Sequence, residues 1–246
     1  MKNSNTFYKV IIICLMVFSS CSKDETSEIQ PETQPEAHQN LLLKITDSDG
    51  LTSTYSYDSN NRLDNYKRNG NDFNPDLNQN LVYNADGTLQ KLVQADNGAI
   101  VTEFFYDANK KIIKKIGRSG FDTFKYSYSG NVITEDYRSA TTDVGWRQTY
   151  TYDENGNIIE LKSYNDATDA NPEGTFSAVI NYTYDDKKNA ASSFPQGFLF
   201  PSSANNIKTA QYNGGGIGSS QYEYNLDGYP TKRTDSFTRV YEYKRL

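Results

Sequence analysis

The stretch Tyr150-Thr151-Tyr152-Asp153-Glu154-Asn155-Gly156-Asn157-Ile158 decides the fold. Tyr150 and Tyr152 are two apart, so on a strand they share one face while Thr151 points to the other. Aromatic and β-branched residues suit a pleated surface. Asp153 can bond backbone groups ahead of it, and Gly156 accepts the left-handed conformation that closes a type I turn with a bulge. Asn157-Ile158-Ile159-Glu160-Leu161 then starts a return strand. The unit is a β-hairpin with one packed and one wet face.

Working outward, the same pattern recurs. Its aromatic or aliphatic doublets are Tyr55/Tyr57, Leu81/Tyr83, Phe104/Tyr106, Tyr126/Tyr128, Tyr150/Tyr152, Tyr182/Tyr184 and Tyr222/Tyr224, and Tyr241/Tyr243 closes the series without a turn. Successive second members are 26, 23, 22, 24, 32, 40 and 19 residues apart, so the early copies are nearly regular and the late ones carry insertions. Asn84-Ala85-Asp86-Gly87 and Asn225-Leu226-Asp227-Gly228 repeat the turn chemistry. Asn61 and Lys110 stand where glycine is preferred. Asn tolerates the left-handed region and Lys does not, so the Lys110 turn is expected to differ or be strained. The residue inside each doublet is polar in six of eight copies, as in an antiparallel sheet with one packed face.

These readings predict an all-β fold: an antiparallel meander of about eight hairpins over residues 41–246. Up to roughly 16 short strands exceed what a flat open sheet holds, so the sheet must curl, close as a barrel or coil into a short solenoid. Segment 186–221 is the longest interruption. Within it Phe194, Phe198, Leu199 and Phe200 are expected to plug an end or edge of the sheet, with a ligand-gating loop as the sharper alternative. Asn213-Gly214-Gly215-Gly216 reads as a hairpin tip, because no Lys-Ser/Thr follows it as in a phosphate loop.

Tyr-x-Tyr-Asp-x-x-Gly-x-Ile at Tyr150–Ile158 is similar to the YD repeat of RHS-type proteins. The body as a whole resembles surface lipoproteins of the Bacteroidota built from divergent YD-like hairpins. Tyr184-Asp185-Asp186-Lys187-Lys188-Asn189, Phe198-Leu199-Phe200 and Asp227-Gly228-Tyr229-Pro230 carry that second likeness. The resemblance implies fold more than activity. Large RHS proteins form toxin-enclosing shells, for which this chain is too short.

The N-terminus reads as an address. Val10–Phe18 is an unbroken apolar run preceded by Lys2 and Lys9. Nine residues are too few for a membrane span, which needs about 20, and they fit a signal peptide over residues 1–20. Ser19-Ser20-Cys21 resembles the lipobox of bacterial lipoproteins, with Phe18 where Leu is usual. The resemblance implies cleavage before Cys21 and acylation of it, hence a membrane anchor. Cys14 would leave with the signal, so the mature chain would hold no disulfide. Lys23, Asp24 and Glu25 resemble the export signal that sends Bacteroidota lipoproteins to the outer face of the outer membrane. Residues 21–40 read as the acylated Cys and a polar, Pro-containing tether. His38 lies there and reads as solvated.

Composition bounds the rest. The chain has 246 residues with 25 Lys+Arg against 31 Asp+Glu, a net charge of −6. Its pI is near 4.9 and its mean hydropathy −0.77. Nucleic-acid binding wants a basic surface and is not expected. A polytopic membrane protein is excluded by polarity, and disorder by the 13% aromatic content. One His and two Cys leave little material for His catalysis or a metal site, and no cofactor is expected. Asp47-Ser48-Asp49-Gly50 matches too little of a calcium loop and reads as a β-turn.

Exposed tyrosine faces could stack on sugar rings, with the packed face of the sheet as the alternative, and Trp146, the single Trp, is a further candidate ligand platform, with packing as its alternative. Carboxylates are many, but no spacing singles out an acid and a base. The leading expectation is therefore a non-enzymatic binding module at the cell exterior, for a glycan or an envelope protein. A scaffold subunit of an envelope complex is second and a carboxylate-based glycan hydrolase third.

Overall fold

Alternation of inward and outward residues builds the sheet directly. The computed structural model describes residues 39–246 except 72–74, 118–119, 121 and 141–143. The signal segment, Cys21 and Lys23–Glu25 therefore lie outside the described residues.

The described residues form 17 strands. The first are β1 (Asn40–Asp47), β2 (Thr52–Tyr57), β3 (Leu63–Asn69), β4 (Leu77–Tyr83), β5 (Leu89–Gln94) and β6 (Ile100–Tyr106). Next come β7 (Ile112–Gly117), β8 (Asp122–Ser129), β9 (Val132–Ser139), β10 (Gly145–Tyr152), β11 (Ile158–Ala167) and β12 (Thr175–Lys188). The last are β13 (Asn205–Tyr212), β14 (Ile217–Ser219), β15 (Gln221–Tyr224), β16 (Pro230–Thr234) and β17 (Thr238–Arg245). The first strand begins one residue before the expected boundary at 41.

Each strand pairs antiparallel with its successor, with one exception, and β1 pairs with both β2 and β17. The exception is β14 and β15, separated by Ser220 alone. The Ser220 amide donates to Lys208 O at 2.8 Å and carries the β13 ladder onward, so Ile217–Tyr224 is one strand with a break. Strand parity supports this. Direction alternates along a meander, so the first and last of an odd number of passes would run parallel. The β1–β17 ladder is antiparallel, which requires an even number: 17 strands less one, or 16. Closure removes the exposed edges that a sheet of this size would present.

The doublets face inward. Tyr55, Leu81, Phe104, Tyr126, Tyr150 and Tyr241 are buried, as are the aliphatics after the turns, Leu63, Leu89, Ile112 and Ile158. Between the doublet members, Ser56, Phe105, Ser127, Thr183, Glu223 and Glu242 are exposed. The outer wall carries opposite charges in cross-strand pairs: Lys44 with Glu242, Arg147 with Asp136, and Lys232 with Glu223.

A ring of 16 strands encloses more space than its own short side chains fill. Residues 189–204 between β12 and β13 occupy it. Phe194 meets Tyr55 at 4.8 Å between ring centroids, Phe198 meets Tyr66 edge-on at 5.5 Å, and Phe200 meets Tyr126 at 5.2 Å. Phe194, Phe198 and Phe200 thus form a plug on the inner wall rather than at an end or edge of the sheet, and Leu199 stays exposed. The interruption is shorter than 186–221, because β12 continues to Lys188 and residues 205–219 return as a hairpin. Gly197, at φ 105°, passes so close to the wall that a Cβ would lie 3.1 Å from Ile112 Cδ1 and 3.3 Å from Phe104. Only glycine meets both demands.

Candidate functional site

The molecule has two ends, and the repeat explains one of them. After a doublet, Asp58 Oδ1 accepts the amides of Asn60 and Arg62, both at 2.9 Å. Asp107 and Asp153 do the same in their turns, as does the side-chain oxygen of Asn225. The Arg62 amide and the other turn donors hold the Asp58 carboxyl below the usual range. The left-handed position falls on Gly87, Gly156 and Gly228, on Asn61 (φ 58°) and on Lys110 (φ 61°). The Lys110 turn thus keeps the common geometry and is strained rather than different.

The second member of each doublet fastens one copy to the one before it. Tyr57 Oη donates to Leu42 O, Tyr83 to Leu63 O, Tyr106 to Leu89 O and Tyr128 to Ile112 O, at 2.5–2.8 Å. Tyr184 donates to Ile158 O at 2.7 Å, and Tyr243 to Pro230 O at 2.8 Å. Each acceptor belongs to a buried residue just past a turn, or to Leu42 in the matching place on β1. Burial pushes the Tyr57, Tyr83, Tyr106 and Tyr128 hydroxyls up to about 12. Two copies depart from the rule: Tyr152 donates to Ser202 O in the plug at 3.3 Å, and Tyr224 donates to the Asp185 carboxylate. These tyrosines are structural, and their hydroxyls are already used.

A charged cluster lies inside on β7–β10. Glu135 on β9 is buried, accepts the Tyr126 hydroxyl and the Tyr150 hydroxyl (2.7 Å), and stands 3.6 Å from Lys115 Nζ. Burial pulls the Lys115 pKa below the lysine norm, and the Glu135 charge opposes it. Burial and the same carboxylate push both hydroxyls far above the tyrosine norm. Each charge has a partner, as a low-dielectric interior requires. Sequence analysis did not single out Glu135. The signal was its spacing: Ile133, Glu135 and Tyr137 share a face.

Trp146 lies on the inner face of β10, half-buried. Its ring stacks on Tyr137 at 5.3 Å and meets Phe124 edge-on at 6.0 Å. One of its faces is therefore covered by packing. Asp47–Gly50 is a turn, closed by the Gly50 amide on Asp47 O at 3.0 Å. Asn213–Gly216 is the tip between β13 and β14.

The end opposite the doublet turns is different. Among the described residues, the aromatic rings more than half exposed are Phe176, Tyr212 and Phe237, and all adjoin turns at this end. Here too lies a cavity of about 210 Å³ lined by Asp47, Asp49, Arg233, Asp235, Phe237 and Arg239. Arg239 grips Asp47 through Nε (2.6 Å) and Nη2 (2.8 Å), and Arg233 pairs with Asp235 and donates to Ser220 Oγ at 3.2 Å. Asp49 accepts the Leu51 amide at 3.1 Å and Asn71 Nδ2 at 3.2 Å. Burial works to raise the Asp235 pKa, but the Phe237 amide and Arg233 outweigh it and hold the carboxyl below its usual range. The sequence marks only Asp47 and Asp49 of this group, as a β-turn; the rest assembles from β16, β17 and their turn. The period-two spacing of Arg239 and Tyr241 is its one local sign.

Comparison with known proteins bears on the repeat. Residues 38–64 match the family model of the RHS Repeat. The chain is 30% identical over 148 residues to the tRNA nuclease WapA of Bacillus subtilis (strain 168), a match that covers 59% of this chain and 6% of that protein. Among solved structures, a porin-like protein from Bacteroides uniformis ATCC 8492 is similar at a TM-score of 0.35 and 13% identity, covering 85% of this chain and 98% of that one. The TcdB2-TccC3-Cdc42 complex is similar at a TM-score of 0.27 and 13% identity, covering 78% of this chain and 13% of that one. Residues 38–64 carry an RHS repeat, and its doublet, turn and buried aliphatic recur around the barrel.

Proposed function

We propose that the protein is an envelope lipoprotein, anchored through Cys21 and facing the cell exterior, whose barrel binds a surface glycan without catalysis. One observation carries the binding reading. The inner face is given over to packing, while the exposed rings and a charged cavity gather at one end. Loops held by a rigid scaffold are the usual place for binding residues. The anchor rests on the apolar run Val10–Phe18, on Cys21 and on Lys23-Asp24-Glu25. Cys21→Ala is expected to release the protein from membranes, and protease treatment of intact cells is expected to remove the wild type. Retention of the variant on membranes would reject the anchor, and survival under protease would reject the outward orientation.

A glycan array probed with the purified protein tests the ligand class. Adhesion to cells together with an empty array would point to a protein partner instead. One observation favours a scaffold role as second reading: Phe105 and Ile113 stand exposed on the outer wall beside Lys114 and Lys125. Co-purification of one stoichiometric envelope protein, lost on Phe105→Glu, would establish that role.

An acid-base glycosidase needs a carboxyl group that stays protonated, and Asp235, held below its usual range by the Phe237 amide and Arg233, does not supply one in this cavity. The tRNA nuclease activity of WapA is not carried over, because a net charge of −6 opposes phosphate binding. Cleavage of tRNA by the purified chain would overturn the non-enzymatic reading.

A further inference from the structure

The cavity at the far end is over-built for an ion pair. Arg233 and Arg239 sit directly opposite each other in the β16–β17 ladder, an arrangement that costs stability unless each charge is compensated. Asp235 and Asp47 supply that compensation. Asp49 then adds a third carboxylate, and Phe237, 60% exposed, closes one side with a bare ring. The Phe237 amide is tied to Asp235 Oδ1 at 2.9 Å, which fixes the turn that presents the ring.

We propose that this cavity is the subsite for one neutral sugar ring at the end of a glycan, an inference that rests on the glycan-binding reading above. A guanidinium carries five donors in a fixed fork; Asp47 takes two of Arg239's, and Ser220 Oγ and Asp235 engage two of Arg233's. Neighbouring donors and carboxylate acceptors on rigid strands suit the adjacent hydroxyls of a sugar. The ring of Phe237 suits the apolar C–H face. Two arginines against three aspartates leave one net negative charge, which disfavours phosphate, sulfate and uronate groups. A volume of about 210 Å³ lies under the roughly 300–1,000 Å³ of sites that enclose a drug-sized ligand. The cavity therefore holds one terminal ring, not an internal segment of a chain.

The test is calorimetric titration of the full chain in detergent. The neutral arm uses trisaccharides ending in glucose, galactose, mannose or N-acetylglucosamine. A galacturonic acid trimer supplies the anionic arm and a glucosamine trimer the cationic arm. Binding is expected in the neutral arm, weakened about tenfold by Phe237→Ala and retained by Phe237→Trp. Circular dichroism of Phe237→Ala is expected to match the wild type, since the side chain lies outside the core. A neutral trisaccharide bound equally well by Phe237→Ala would overturn this subsite and leave the glycan reading standing. Preference for either charged trimer would overturn the neutral chemistry. Failure of every arm would overturn both the subsite and the glycan reading.

Discussion

At one end of the barrel, five residues separate Tyr57 from Leu63, Tyr83 from Leu89, Tyr106 from Ile112, Tyr152 from Ile158 and Tyr224 from Pro230, while two doublets depart: Gly130 and Asn131 alone join β8 to β9, and the plug, residues 189–204, joins β12 to β13. At the other, the gaps run from three residues between Thr234 and Thr238 to seven between Ala167 and Thr175. The difference has a mechanical cause. A doublet turn must deliver a buried aliphatic to the core and, in most copies, its carbonyl to the tyrosine of the next copy. Changing its length by one residue without also changing its bulge would turn every following side chain to the wrong face; the two-residue β8–β9 turn keeps Ile133 inward by dispensing with the bulge that the five-residue turns carry. The far turns bond to their neighbours in no repeated pattern, as Ser48 does to Thr238 and Asn71 to Asp49, so their lengths and chemistry are free to vary. The repeated end holds the barrel together, and the variable end carries the cavity proposed to take a ligand.

The largest expected effect lies in the repeated end. Leu89→Ala is expected to cost about 2–5 kcal/mol in denaturant unfolding. Ile217→Ala, at an exposed position of the far end, is expected to stay within about 0.5 kcal/mol. Equal costs would break the distinction between the ends. Next comes the plug. Gly197→Ala forces a Cβ against Ile112 and Phe104 at a positive φ, and a loss of about 2 kcal/mol is expected. A neutral result would show that residues 189–204 do not seat on the inner wall. Tyr106→Phe strands the Leu89 carbonyl and is expected to cost about 1 kcal/mol. The smallest change runs the other way: Lys110→Gly relieves a left-handed lysine and is expected to stabilise by about 1 kcal/mol, read as a raised denaturation midpoint.

Most of the repeated end was legible in the sequence, because its information is local. Tyr150 and Tyr152 two apart, Asp153 at the turn and Ile158 beyond it define one hairpin without any long-range contact. The strained Lys110 and the phenylalanines of the plug were legible for the same reason, as a lysine in a glycine position and an apolar cluster outside any strand. Closure was not. Whether β17 returns to β1 depends on strand number and accumulated twist, and neither resides in one copy. The break at Ser220 further hides the even count. The far cavity was also beyond reach: Asp47 and Arg239 are 192 positions apart and meet only because the ring closes. Trp146 drew notice as the single tryptophan, yet its neighbours Tyr137 and Phe124 come from other strands.

Tyrosine titration tests the inward doublets most directly. In an unfolded chain tyrosine ionises near pH ~10. The latch hydroxyls of Tyr57, Tyr83, Tyr106 and Tyr128 are raised to about 12, so the stability they contribute is complete below the unfolded value and is lost as pH climbs through the folded one. Tyrosinate absorbance and far-ultraviolet circular dichroism, followed together in alkali, are expected to show these hydroxyls ionising only as the β-signal collapses. Ionisation of all the tyrosines near pH ~10 with the β-signal intact would place the rings in solvent and contradict the closed, tyrosine-latched barrel.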